Sequence, residues 1–249
     1  MNFQKTDQDI KTMKKAGEIC AQALKKVLDE IRPGVSLKEL DEIAESEIKK
    51  QGASAAFKTV DNYAATICTT VNEQVVHGIP TDRILKDGDI VGIDIGAFFQ
   101  GFHSDLAITV PVGEIDKQKE KFLKIGQKTL EVAIEKAKVG NTIGDISETI
   151  QKGIEQAGYS VVESLTGHGV GRQLHEDPMV PGIGKSGTGS KILKNMTLAI
   201  EVIYSEGSGD VVLEHDGWTI STRDGSLSGL FEKTIAVSQN GPIVLTPYL

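Results

Sequence analysis

Two carboxylates stand where apolar side chains belong. Asp94 interrupts Ile90-Val91-Gly92-Ile93-Asp94-Ile95 and Glu201 interrupts Leu198-Ala199-Ile200-Glu201-Val202-Ile203, runs that otherwise read as buried strands. A bare ionised carboxylate in such a strand is too costly to stand without a counter-charge. Asp105 heads Leu106-Ala107-Ile108-Thr109-Val110 and joins the Asp94 strand through Phe98-Phe99-Gln100-Gly101. A hairpin turning near Phe99 and Gln100 would set Asp94 and Asp105 opposite each other, and two anions facing across a ladder need a cation. Glu232 adds a further acid in Leu230-Phe231-Glu232-Lys233-Thr234-Ile235-Ala236-Val237, although alternation is less clean there and, alone, it reads as well as an exposed strand residue. His168 stands in Thr166-Gly167-His168-Gly169-Val170-Gly171-Arg172, where the glycines would let the backbone turn tightly and expose the imidazole. A lone histidine of this kind is more often structural than a ligand.

Taken together, four carboxylates carry four negative charges, which two divalent ions would cancel. With one imidazole they form a mixed oxygen and nitrogen set suited to Mn, Fe, Co or Zn, unlike a zinc site built from thiolates. The competing arrangement is buried acids matched by Lys or Arg. No basic residue lies within either apolar run, and Lys86 and Lys194 precede the strands, so metal binding is the favoured reading.

These residues must be held by elements the pattern also reveals. Apolar positions at helical spacing (Ile19, Ala23, Leu24, Val27, Leu28, Ile31) predict a helix from about Asp9 to Ile31, ending at Arg32-Pro33-Gly34. Ser36-Leu37-Lys38-Glu39 is a capping-box pattern opening a second helix that stops at Gly52. The arrangement recurs from about Phe122: a helix through Leu130, Val132, Ile134 and Ala137, a break at Val139-Gly140-Asn141, and a helix from Thr142 to Gly158. The register sets Gly34 against Gly140 and Gly52 against Gly158. After each helix pair, Ile84–Asp94 resembles Ile192–Glu201, one residue shorter, and both end in a carboxylate. Two copies imply two similar halves, about 14–112 and 122–246, of a single α+β domain over 1–249. The site is then expected between the halves.

At 249 residues and 39% hydrophobic, the chain can fill a sizeable core. Its net charge of -8 and lack of a Lys/Arg cluster argue against nucleic acid as a partner. The polar stretch Met1 to Lys15 has no apolar signal region, and no apolar run approaches the ~20 residues that span a bilayer. A cytoplasmic protein with no membrane partner is expected, with Cys20 and Cys68 both reduced.

At this point the motifs resemble those of type I methionine aminopeptidases, which implies the creatinase-like pita-bread fold, with an antiparallel sheet and outer helices. The resemblance covers about Ala16 to Thr246. It is carried by Val71-Asn72-Glu73-Gln74-Val75-Val76-His77-Gly78-Ile79-Pro80, Gly92-Ile93-Asp94-Ile95-Gly96, His103-Ser104-Asp105, Gly167 to Pro178, Ala199-Ile200-Glu201, Asp216-Gly217-Trp218-Thr219 and Glu232-Lys233-Thr234. Each is weak alone; in this order they are specific.

The resemblance implies that Asp94, Asp105, His168, Glu201 and Glu232 are the metal ligands, with Asp105 and Glu232 bridging two divalent ions. It implies that His77 contacts the scissile amide nitrogen and His175 the carbonyl oxygen. It also implies hydrolysis by an ion-activated water with Glu201 as general base. Binding of the substrate's free amine to one ion would limit cleavage to one residue. Tyr63, Cys68, Leu174 and Trp218 are the candidate wall for a methionine side chain, although each could equally be core packing. The implied substrate is the N-terminal methionine of nascent chains, with a small second residue preferred. A monomer is expected, and docking on the ribosome is left open.

This sequence departs from the family pattern at Val202, where a proline is usual, and at Lys233, where a histidine is usual. On a strand Lys233 should point away from Glu232. The enzymatic rival is a proline-specific relative, aminopeptidase P or prolidase, which normally carries a large extra N-terminal domain. The rival of another class is a binding module that has lost its ligands.

Overall fold

The computed structural model describes residues 4–249. Its first half opens with α1 (Asp7–Glu30) and α2 (Leu37–Lys50). Thr6 accepts from the Asp9 backbone while Asp9 reaches back to Thr6, and Ser36 and Glu39 repeat that exchange at the start of α2. Five strands follow: β1 (Ser54–Ala55), β2 (Ile67–Val71), β3 (Gln74–Val76), β4 (Ile90–Phe99) and β5 (Phe102–Pro111).

The second half repeats the order. Helices α3 (Lys117–Ile134) and α4 (Ile143–Glu155) precede β6 (Ser160–Val161), β7 (Thr166–Gly169), β8 (Glu176–Pro181) and β9 (Thr197–Ser205). Short strands β10 (Val211–Leu213) and β11 (Ile220–Thr222) lead to β12 (Ser228–Ser238) and β13 (Gly241–Val244). Helix α3 starts five residues ahead of Phe122, because its first turn is all charged or polar and carries no apolar signal; Asp116 caps it by accepting from Gln118 and Lys119.

The internal repeat is visible in the backbone. Gly34 and Gly140 take φ +96° and +98°, and Gly52 and Gly158 take +74° and +88°, conformations that a Cβ would strain. Leu85 N–H donates to Val35 O at 2.9 Å, and Ile192 N–H donates to Asn141 O at 2.8 Å. Each helix pair is thus fastened in the same way to the segment that leads into its long strand.

Ten strands form one sheet in the order β1-β4-β5-β12-β9-β7-β8, with β2 also on β4, β6 on β9 and β13 on β12. Every named pairing is antiparallel. The two halves meet where β5 pairs with β12. This is the α+β pita-bread architecture.

One side of the sheet is sealed by helices. Val91, Ile93 and Ile95 pack with Ile19, Leu24 and Leu40 in the first half. Leu198, Ile200, Val202 and Tyr204 pack with Phe122, Ile146 and Ile150 in the second. Strand β3 lies outside this sheet, in a small three-stranded layer with β11 and β10.

The hairpin between β4 and β5 corrects one expectation. The turn falls at Gln100 and Gly101, both at positive φ (47° and 85°), with Phe99 paired to Phe102. Two consecutive positive φ values suit a tight hairpin turn. The register moves by two residues, so Asp94 faces Ala107 and Asp105 faces Gly96. The acids are therefore diagonal neighbours on the same face.

Replacing Ser36 with Ala removes the hydroxyl that accepts the Glu39 N–H at 3.2 Å. Urea unfolding is expected to show a loss of about 1 kcal/mol; an unchanged midpoint would mean the cap does not contribute.

Candidate metal centre

Successive side chains on a strand point to opposite faces. Since Ile93, Ile95, Ile200, Val202 and Phe231 face the helices, the acids beside them emerge on the other side. The register arranges them in two adjacent rows. In the first, Cys68 pairs with Asp94, Asp94 with Ala107, Ala107 with Glu232, and Glu232 with Glu201. In the second, two residues along, Asp105 sits opposite Gly96, and Ala199 pairs with both Thr234 and His168. Thr234 closes that row: its hydroxyl accepts from the Asp105 N–H at 2.9 Å and donates to the Asp105 carbonyl at 2.8 Å.

His168 does not stand on an exposed turn as its glycines suggested. It is 5% exposed within β7. The glycines serve close approach instead: a Cβ on Gly167 would lie 2.6 Å from the Ala199 carbonyl, and one on Gly169 2.4 Å from the Asp177 carbonyl. The His168 Nδ1–H donates to the Gly169 carbonyl at 2.8 Å, which leaves the Nε2 lone pair directed to the cluster, 3.8 Å from Asp105 Oδ2. Glu232, readable alone as an exposed strand residue, is 3% exposed.

Asp105, His168 and Glu232 each present a ligand atom within 4.8 Å of the other two. Asp94 and Glu201 face the same cavity and stay partly accessible. Among the described residues no lysine or arginine pairs with any of the four acids, and Asp94 Oδ1 and Glu232 Oε1 have no hydrogen-bond partner. Burial pushes the Asp94 carboxyl up to about 7. Burial, then the neighbouring carboxylates, pushes Asp105, Glu201 and Glu232 well above the ordinary range. Burial also lowers His168 to about 4, keeping it a neutral ligand. Orphaned carboxylate oxygens crowded round a neutral imidazole fit divalent cations, and the oxygen-rich donor set excludes a thiolate site.

The cluster lies in a cavity of about 320 Å³. All eleven residues singled out in the sequence line it, including Tyr63, Cys68, Leu174 and Trp218 and the histidines His77 and His175. Tyr63 and Trp218 meet edge to face with ring centroids 5.1 Å apart. His77 follows β3 at φ 58°, and His175 lies 4.4 Å from His168 between ring centroids. Partial burial lowers the pKa of both, joined for His77 by the charge of His175, so both are neutral at pH 7.

Sequence reasoning missed Phe57, Val60, Leu165 and Met179, which also line the cavity. Val60 and Leu165 lie in loops, Phe57 in a short 3-10 turn and Met179 at an exposed strand position, none with a periodicity that would mark them. Thr234 stood in a motif without a role; its hydroxyl is what pins Asp105. The departures at Val202 and Lys233 both turn away from the cavity: Val202 enters the helix-side core, and Lys233 Nζ lies 4.0 Å from the Tyr248 ring centroid.

Helix-backed halves folded round a buried Asp/His/Glu cluster define a metallopeptidase architecture, and sequence comparison agrees. The profile of metallopeptidase family M24 matches residues 11–219, and the chain belongs to that family. It is 46% identical over 242 residues to the methionine aminopeptidase of Clostridium perfringens, covering 97% of each chain. It is 44% identical to methionine aminopeptidase 1 of Bacillus subtilis, over 97% of this chain and 98% of that one. The crystal structure of the Thermotoga maritima methionine aminopeptidase superposes with a TM-score of 0.96 at 43% identity, covering 97% of this chain and 98% of that one.

Stripped of metal by a chelator, the folded protein holds on Asp94 a proton that the unfolded chain releases between 3.8 and about 7. Its stability from this group therefore falls as pH rises through that window. The rise in melting temperature on adding Mn(II) or Co(II) is expected to be larger at about pH 7 than at about pH 5. A shift independent of pH would contradict the buried cluster.

Proposed function

We propose that this protein removes the N-terminal methionine of nascent chains by hydrolysis, with two divalent ions, of the Mn, Fe, Co or Zn class, held by Asp94, Asp105, His168, Glu201 and Glu232. One observation carries the reading: four acids and one neutral imidazole share a cavity face and, among the described residues, no lysine or arginine pairs with the acids. Four negative charges match two divalent ions. Asp105 and Glu232, the most buried of the acids, would hold them from the floor of the cavity, and Asp94 and Glu201 from its more accessible flanks. When bound, such ions supply Lewis acidity and lower the pKa of water.

The chain's own residues do the rest. Glu201, on the accessible side of the cluster, takes the proton from the attacking water at its carboxylate and passes it toward the leaving amine. His175 presents an N–H to the substrate carbonyl oxygen as charge builds there, and His77 contacts the scissile amide nitrogen. Both are neutral near pH 7 and therefore keep one donor and one acceptor nitrogen each.

Tyr63, Cys68, Leu174 and Trp218 hold the methionine side chain. Burial, then the charge of Asp94, raises the Cys68 thiol far above its ordinary range, so it stays a neutral, polarisable wall suited to a thioether. The free amine of the substrate reaches the acid-lined end of the cavity, which confines cleavage to the first residue. The reading places the protein in the cytoplasm, as a monomer, where nascent chains emerge from the ribosome.

Release of the first residue from a peptide panel tests the substrate. Peptides beginning Met-Ala or Met-Gly are expected to be trimmed, and Ala-Pro peptides and Met followed by a bulky residue spared. Preference for the Ala-Pro peptide would assign the chain to the proline-specific branch instead.

His175→Ala is expected to keep its metal content and lose roughly 100- to 1000-fold in kcat, the usual worth of an oxyanion donor. Undiminished turnover would remove His175 from the reaction.

A further inference from the structure

Among the described residues the His175 imidazole has no hydrogen-bond partner; it meets the His168 ring edge to face, with centroids 4.4 Å apart. Its position must come from the backbone of the hairpin that joins β7 to β8. We propose that Lys5 is a positioning residue for this hairpin, acting through Glu176 to hold His175 over the cavity.

The contacts form a continuous strap. Lys5 Nζ donates to Glu176 Oε2 at 2.7 Å, with the two side chains only 10% and 20% exposed. The other oxygen of the same carboxylate accepts the Gln173 N–H at 3.1 Å, so one carboxylate spans the hairpin tip on both sides of Leu174 and His175. The Lys5 stem runs against the loop: a Cβ on Gly171 would lie 2.2 Å from Lys5 Cε. The lysine therefore occupies the space that a side chain at 171 would fill.

The other end of the strap is anchored. Lys5 N–H donates to Asn195 O at 2.8 Å, and Asn195 Nδ2 donates to Lys5 O at 3.0 Å. Asn195 lies in the turn that enters β9, the strand carrying Glu201. Lys5 thus ties the hairpin bearing His175 to the approach of the Glu201 strand. A pair this shielded is not the solvated surface ion pair that contributes little. Its partner lies next to the residue proposed to meet the substrate oxygen, where a displacement of about 1 Å can cost on the order of 100-fold in rate.

This inference rests on the role given to His175 above, and a double-mutant cycle separates the two. Lys5→Met keeps the stem and removes the charge. It is expected to lower kcat by roughly 10-fold on a Met-Ala peptide with KM little changed, a partial loss of what a well-placed donor supplies. In the His175→Ala background the same substitution is expected to have no further effect on kcat, because residues acting through one another are not additive. Hydrogen exchange of Lys5→Met, read without substrate, is expected to speed up in 171–176 while the β9 and β12 amides stay protected.

Unchanged kcat in Lys5→Met, or an equal loss with and without His175, overturns the proposal. Failure of the underlying reading looks different: His175→Ala itself then retains full turnover.

Discussion

Mutual repulsion among four crowded carboxylates, Asp105 and Glu232 buried and Asp94 and Glu201 partly accessible, is the constraint around which this protein is built. Two unit charges about 4 Å apart still repel by about 4 kcal/mol at an effective dielectric near 20. A few such pairs equal the whole stability of a typical domain, about 5–15 kcal/mol. The fold must therefore bring its own rigidity to the site, and it does so by sealing the opposite face of the sheet with four helices. The acids are presented by strands whose alternate residues are locked in that core, so they cannot relax apart. A bound cation would turn the repulsion into affinity, and the family to which the chain belongs is one of metallopeptidases.

The two halves are similar in backbone but unequal in chemistry. Val112 N–H bonds to Asp89 O and Val237 N–H bonds to Met196 O, which makes Asp94 and Glu201 equivalent positions on equivalent strands. Yet Glu201 faces Glu232 across its ladder, whereas Asp94 faces Ala107 and the second acid of that half sits two residues away at Asp105. That offset opens a second row, and His168 enters it from β7. A symmetric arrangement would have put four carboxylates in a single row. The departure from symmetry lets one small residue, Ala107, stand at the middle of the first row, and it draws a nitrogen donor into the second.

Around this rigid face the walls come from less regular chain. The segment holding Tyr63, the tip of the β7–β8 hairpin with Leu174, and the loop with Trp218 lie outside the strands of the large sheet and share an apolar cluster. The acidic face and the pocket walls therefore answer to different parts of the structure. Substitutions in the loops can alter which side chain is accommodated while the acids remain in register.

Much of this was legible in the sequence, because its strongest signals are local. Helix periods, capping boxes and the glycines after each helix follow from short-range backbone sterics, and the repeat in them implied two similar halves. A carboxylate inside an apolar strand was visible as an energetic anomaly without any coordinates. The family resemblance suggested roles for His77 and His175 that no local pattern pointed to. What the sequence could not fix was set by interactions between distant stretches. The turn at Gln100 and Gly101, one residue later than expected, moved the pairing by two. Glu232 proved buried because β9 and β5 cover it on both sides. The glycines round His168 serve the close approach of neighbouring carbonyls and leave the imidazole enclosed. Register and burial depend on which strand becomes a neighbour, and only the tertiary structure decides that.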